Sequence, residues 1–572
     1  MDKGSLAERK NRYLLISLAI CAVLVNIKSI FTDYNYDVGY AVAMAYRMVR
    51  GDRMFLEMWE PHQTSAFLCA WLIKLYLMLT GTLTGIVLFL QAAGMSIRIL
   101  VVLFFYYSMK RLIGAEVLGL MCLFFLGTSP KGLPMPEFSN MQLWFSVGIF
   151  CCLVRYLQRQ EQKLWLVAVS IFLCLEVLAY PSALIVYPGI LFILYRHAES
   201  RGKDIFVLSS VCLCFGMVYG GYFVLRRGWW EVVKSISYII VGDASHNSTL
   251  VDKCRAYLQE CGEILLGLTL LGLVSFLLTG VFSSLIYYYS KKQIKIYAKS
   301  YWLIVFFLLF LICDVVQALK VEMSYAERLP IYVPVIILSL RSLKQCRKTE
   351  QQIVECGIII SFLSFFATLL LTNLTVVASL NYLILAVMVA FLPIMNRIEQ
   401  LTVGRKKNLG YSLIVLFCAI TLFRSGYIMK CMSTEKTNVL NIAGVVKAGP
   451  AKGLVSEYLG PQILNVTLEE WHEYVEPGDR VLVVGAGLYD PLLYLYEEVE
   501  ISTTSTICTP TYDKMLLEYW EKYPEKYPNV VIVDCWFGEL RVKKNNWIMQ
   551  WLESEFEPGG YVDGSYWRYY RR

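Results

Sequence analysis

Two short segments just past the first apolar run carry residue types suited to chemistry: Asp33-Tyr34-Asn35-Tyr36-Asp37-Val38-Gly39-Tyr40, then Trp59-Glu60-Pro61-His62. Carboxylates and an imidazole held just outside a membrane can take a proton from a hydroxyl and orient it for attack. Asp37 lies a few residues beyond the end of the apolar run, where a carboxylate is partly desolvated yet reaches water, which suits a general base. Pro61 restricts the backbone on either side of it, so Glu60 and His62 are expected to project toward one cavity. A second acid, Glu137, follows the Pro-rich loop 129–136 and starts a helix that runs through Asn140 and Met141, where the helix dipole favours a carboxylate. These placements suggest an enzyme rather than a pore, with Asp37, Glu60 and Glu137 as candidate catalytic acids. The plainer roles are a solvated loop acid for Asp37 and a helix cap for Glu137.

The elements that must position these residues follow from composition. With 57% hydrophobic and 17% charged residues over 572 positions, and a mean hydropathy of +0.52, most of the chain belongs in lipid. A bilayer-crossing helix needs roughly 20 apolar residues, and such segments recur from Tyr13 to about Tyr427. The first, Tyr13 to Phe31, has no small-residue cleavage site after it and is expected to be a retained span. Basic clusters at Lys3 to Arg12, Lys110-Arg111, Arg155 to Lys163, Arg196 to Lys203, Lys291 to Lys299, Arg341 to Lys348 and Arg397 to Lys407 mark cytoplasmic loops. Threading the apolar runs between them gives about 13 crossings if Thr64 to Thr80 lies at the interface or re-enters, a choice that Lys74 supports. The amino terminus is then cytoplasmic and the carboxyl terminus extracytoplasmic. The same clusters account for the net charge of +8, which removes nucleic acid as a partner and leaves the lipid bilayer.

Past residue 430 the long apolar runs stop. Short ones at Arg480 to Gly485 and Val530 to Asp534, with a helical stretch from Tyr512 to Tyr523, predict a small α/β domain over 431–572 beside a membrane domain over 1–430. Gly485-Ala486-Gly487 lacks the third glycine of a dinucleotide-binding turn, so a plain strand-to-loop turn is the expectation. Most of the 17 cysteines sit in apolar runs as small hydrophobes. Cys508 and Cys535 are available to pair, and no spacing makes a zinc site.

Near the site, Val42, Tyr46 and Val49 fall at helical spacing with Arg47 and Arg50 between them, which predicts an amphipathic helix along the membrane surface. A long outer loop from Arg226 to Glu260, with Trp229-Trp230, offers aromatics that could stack on a sugar or anchor at the interface.

The Asp-x-Gly-Tyr start, the following helix ending near Arg50-Gly51-Asp52, the Trp-Glu-Pro-His turn and the later outer-loop acid resemble the polytopic GT-C glycosyltransferases. Within them the pattern is most similar to the protein mannosyltransferase and aminoarabinose transferase group, over roughly Tyr13 to Tyr195. This chain departs in having Asp37-Val38 where many relatives carry two adjacent acids, and Glu137 where aspartate is more frequent. The resemblance implies a GT-C-like membrane fold with a catalytic first outer loop over 32–83. It also implies transfer of a sugar, with inversion, from a polyprenyl-phosphate donor to an extracytoplasmic acceptor at the plasma membrane. Asp37 would act on the acceptor hydroxyl, and Arg328 and Lys320 would meet the donor phosphate, Arg328 with two hydrogen bonds at once. Tyr40, His62 and Trp229 are further candidates for substrate contact. No cofactor is required and no metal ligand is assigned; a divalent cation remains an option, for which Glu60 and His62 offer only part of a ligand set. The competing classes are a transporter or flippase, for which Arg98, Glu176 and Asp314 are the buried ionisable candidates, and a polymerase or ligase using a diphosphate donor.

Overall fold

The structure, a computed structural model, describes residues 3–128, 130–242, 250–290, 298–321, 332–372, 374–400, 405–431, 435–485, 490–507, 513–542, 546–557 and 559–572. Among them, eight helices are long and apolar enough to cross a membrane, and four shorter apolar helices accompany them. The protein is a polytopic α-helical membrane protein with a small sheet near its carboxyl end. Gln63–Thr80 is one of the eight, at mean hydropathy 1.2, so the segment that the charge pattern lays at the interface is long and apolar enough to span.

The first ten helices are α1 (Lys3–Thr32), α2 (Tyr36–Val49), α3 (Phe67–Thr80), α4 (Ile86–Met109), α5 (Ala115–Gly127), α6 (Phe138–Gln158), α7 (Leu164–Ala179), α8 (Val186–His197), α9 (Arg201–Arg227) and α10 (Trp229–Gly242). The expected outer loop 226–260 is thus mostly helical, because α10 and the start of the long helix Leu250–Ser290 occupy it. Trp229 to Ile239 places apolar residues at helical intervals, a pattern outweighed in the sequence by the polar residues 243–247.

The chain forms two compact units. One comprises Met1–Ala22, Met109–Lys131 and Ser248–Ile428; the other comprises Val23–Ser108, Gly132–Asn247 and Met429–Arg572. In the first, Lys348–Leu371 and Tyr332–Ser342 pack on Ile384–Gln400, and α5 packs on Arg405–Tyr427. Buried Asp314 and Arg424 face each other at 3.9 Å, and Glu260 accepts hydrogen bonds from the backbone of Val376 (2.7 Å) and Val377 (2.9 Å).

In the second unit α6 and α7 pack along their lengths, with the buried Glu176 carboxylate accepting from the Ser146 hydroxyl at 2.7 Å. Arg98 reaches Asn26 at 3.5 Å. The largest sheet of this unit comprises β1 (Arg480–Val484), β2 (Glu500–Ile501), β3 (Val530–Trp536), β4 (Glu539–Leu540), β5 (Tyr561–Asp563) and β6 (Trp567–Arg571). Its order is β2-β1-β3-β6-β5, with β1 parallel to β2 and β3, the remaining pairs antiparallel, and β4 turning back on β3. β1, β3 and the helix Asp513–Lys522 fall where the sequence pattern puts them, while β2, β4, β5 and β6 lie outside that reading.

This α/β layer shares its core with the beginning of the chain. Val38, Tyr40, Val42, Met44 and Tyr46 of α2 lie in one buried cluster with Trp471, Val481, Val483, Leu492, Tyr494 and Ile532. Trp59 belongs to a second cluster with Leu482, Val484, Tyr519, Trp520 and Val533.

Candidate active site

Asn35 caps α2, its side chain accepting from the Val38 amide, and Asp37 stands in the first turn. The helix forms where its apolar spacing predicts, but it does not lie along a surface: every residue from Val38 to Arg47 is buried. The segment Asp490–Leu493 and α3 both pack against the helix. Gly39 makes room for the Tyr34 hydroxyl, from which a Cβ there would stand 2.9 Å.

Arg47 is therefore fully enclosed. Its Nε donates to Asp52 Oδ2 (2.5 Å), Nη1 to the Thr504 carbonyl (3.1 Å), and Nη2 to the Tyr519 hydroxyl (2.9 Å) and the Glu57 carbonyl. Glu60 Oε1 lies 3.6 Å from Nη1. Burial disfavours the cation, yet Tyr519, Asp52 and Glu60 hold the Arg47 pKa above its ordinary value. Burial likewise opposes ionisation of Asp52, but Arg47 and Lys526 keep its carboxyl below the usual range. Lys526 donates to Asp52 (2.8 Å) and Glu500 (2.9 Å).

Glu60 is also completely buried. Its carboxylate accepts from the Ser505 hydroxyl (2.5 Å) and the Thr506 amide (2.7 Å), both in the segment after β2. Burial pushes its pKa up, against the lowering effects of Arg47, Ser505, Thr506 and Tyr40. On either side of Pro61, Glu60 and His62 share Tyr40 as a neighbour and otherwise meet different groups. The His62 ring stacks on Phe138 (centroids 4.1 Å, planes 6° apart), leans on Tyr180 at 5.6 Å and meets Tyr40 edge-on at 6.5 Å.

Glu137 is the cap of α6, buried, with Oε2 accepting from the Ser139 amide (2.9 Å) and Oε1 from the Asn140 amide (2.7 Å). The Pro-rich loop before it is fixed by Asn140 Nδ2, which donates to the Leu133 and Met135 carbonyls, and by the Cys69 thiol on the Pro136 carbonyl. Asp37, half-buried, is the most open of the three candidate acids. It lies one turn before Tyr40 on the same helix, so the two are side-by-side neighbours.

Tyr40, Glu60 and His62 are thus drawn together, with Phe138 bringing the start of α6 and its cap Glu137 alongside. Trp229 is exposed at the start of α10; that helix reaches the site through Tyr238, which stacks on Trp59 at 4.5 Å. Lys320 ends the helix Ala298–Lys320 in the other unit, and Arg328, Cys508 and 486–489 lie outside the described residues. Among the described residues no three His, Cys, Asp or Glu side chains gather as a metal site would need.

Sequence reasoning missed Arg47, Asp33 and the hydroxyl-rich segment Ser502 to Thr506. Buried Asp33 pairs with Lys28 at 3.3 Å and accepts from the Lys430 amide at 2.9 Å. Arg47 had a visible sign: the run from Val38 to Val49 is apolar on almost every side, leaving an arginine little polar face to occupy.

No protein-family model matches this chain, and no curated protein does. Among solved structures, it is similar to an oligosaccharyltransferase from Archaeoglobus fulgidus, at 11% identity and TM-score 0.46, over 91% of this chain and 68% of that one. It is also similar to ArnT from Cupriavidus metallidurans, at 11% identity and TM-score 0.42, over 99% and 98%. Both likenesses are distant.

Proposed function

We propose that the protein is a GT-C membrane glycosyltransferase that passes a sugar from a polyprenyl-phosphate donor to an extracytoplasmic acceptor. Asp37 takes the proton of the acceptor hydroxyl as its oxygen bonds to the anomeric carbon; the bond from that carbon to the phosphate oxygen breaks, the lipid phosphate leaves, and the carbon inverts. The observation that carries this assignment is the contrast in exposure among the acids. A base must meet its substrate, and Asp37 is half-buried on a helix whose own position is set by burial, whereas Glu60 and Glu137 are fully enclosed. Glu60 and Glu137 then hold the loop and α6 in place. Tyr40, His62 and Trp229 are proposed to contact substrate.

The site is proposed to face the outside of the plasma membrane, with the amino terminus in the cytoplasm, and to work without a metal ion. The test is transfer of radiolabelled sugar from a panel of polyprenyl-phosphate donors, in membranes carrying matched amounts of the native chain or Asp37→Asn. A fall of at least ~100-fold in the variant, with native turnover unchanged by EDTA, is expected. Undiminished transfer by Asp37→Asn would move the base elsewhere, and no transfer from any donor would sink the proposed reaction.

A further inference from the structure

The turn between β3 and β4 holds two residues, Phe537 and Gly538, between the paired positions Trp536 and Glu539. Both have positive φ, 48° and 85°, as a type I′ hairpin requires. Asn, Asp and Gly suit the first of these positions, and a bulky aromatic residue there is strained. Phe537 is nonetheless 76% exposed, so little packing offsets the strain, although its ring touches Tyr566 at 5.7 Å. Strain and an open aromatic at one turn tip are the marks of a surface kept for contact.

Topology says which way the tip points. β1, β2 and β3 are parallel, so their carboxyl ends share one end of the sheet. At that end the segment after β2 holds Glu60 and Arg47, and Glu60 stands three residues before the apolar helix Gln63–Thr80. The Phe537 turn therefore projects from the end of the sheet that meets the start of a candidate membrane span. Its neighbours are cationic and aromatic: the exposed Arg541 guanidinium lies 4.6 Å over Trp536, and Arg568 lies 3.9 Å over Tyr561 while pairing with Asp563. Asp534 and Glu539 are the other acids close by in the chain, and Lys543-Lys544 follow in sequence.

We propose that the Phe537 turn is a membrane-surface anchor, its ring seated in the interfacial layer of an anionic bilayer and Arg541 against the headgroup phosphates. A saccharide fits less well. Arg541 and Arg568 cover faces of Trp536 and Tyr561, and the open Phe537 ring carries no polar atom with which to hold sugar hydroxyls.

The anchor requires only that the chain sit in a membrane, so it stands or falls apart from glycosyl transfer. Its test is p-benzoylphenylalanine at position 537 of the full chain, irradiated in native membranes, with adducts identified by mass spectrometry. Phospholipid adducts are expected; glycan or protein adducts, or none, would overturn the anchor. A second arm uses Phe537→Asn, which the turn geometry favours. Its unfolding midpoint in detergent should equal or exceed that of the native chain, while the stabilisation gained on moving from zwitterionic to anionic nanodiscs should shrink. A lower midpoint in detergent, or an undiminished nanodisc effect, would make Phe537 a packing residue and end the proposal.

Discussion

Arg47 shows how a residue chosen for charge ends up holding a fold together. Its donors meet a carboxylate, two backbone carbonyls and a phenol, drawn from both the first loop and residues 504–519. A buried cation of this kind brings little net stability against an apolar substitute that repacks well, but losing one partner strands the others. Arg47→Met would leave Glu60 buried with only neutral partners and Asp52 with only Lys526 as a counter-ion. The expected loss of folding stability is about 3–5 kcal/mol, because an uncompensated buried charge remains. Arg47→Lys should recover little of it, since one ammonium cannot match a planar fork serving four acceptors. Thermal unfolding of the two variants in detergent decides the matter, and a loss under about 1 kcal/mol in Arg47→Met would show that the network is not needed. The acids themselves were legible in the sequence; their surroundings were not. Glu60 binds Ser505 and Thr506, more than four hundred positions away, which no local pattern announces.

At the scale of elements, the period of apolar residues located β1, β3 and the helix Asp513–Lys522, and placed α2, because each pattern is local. Which faces were covered was not local information. α2 is apolar on almost every side, and Asp490–Leu493 is among the segments packed against it. β3 carries one polar exception, Asp534, in the buried run from Val530 to Cys535. Burial raises its pKa from 3.8 to about 6, only partly opposed by Arg541 and by a hydrogen bond from Trp536. An acid whose pKa is higher in the folded than in the unfolded chain binds more protons when folded, so its contribution favours folding at low pH and is lost as pH rises from about 4 to about 6. The full penalty above that window is at most about 3 kcal/mol. Asp534→Asn keeps the shape of the protonated acid without the ionisation. Its stability relative to the native chain should therefore be near zero at pH 4 and grow to a plateau above about pH 6. Unfolding midpoints of both chains across that range provide the check. A difference that does not change with pH would mean that Asp534 is hydrated rather than enclosed.

For the whole molecule, composition and packing draw different lines. Composition changes near residue 430, yet 429–572 fall in one compact unit with 23–108 and 132–247. The reason is the shared core, in which α2 and Trp59 fill space among Trp471, Val481, Tyr494 and Trp520. Burying a large apolar side chain is worth about 1.5–3 kcal/mol. Val38, Tyr40, Val42, Met44 and Tyr46 together thus supply roughly 8–15 kcal/mol, as much as the entire stability of a typical domain. Neither side of that core is expected to survive without the other. Residues 435–572 expressed alone should show no cooperative thermal unfolding, and a chain ending at 434 should insert in membranes yet be cut by protease within 36–66, where the full chain resists. Protease resistance of 36–66 in the shortened chain, or a sharp unfolding transition of the isolated 435–572 segment, would mean that the first loop holds its geometry without the carboxyl-terminal layer.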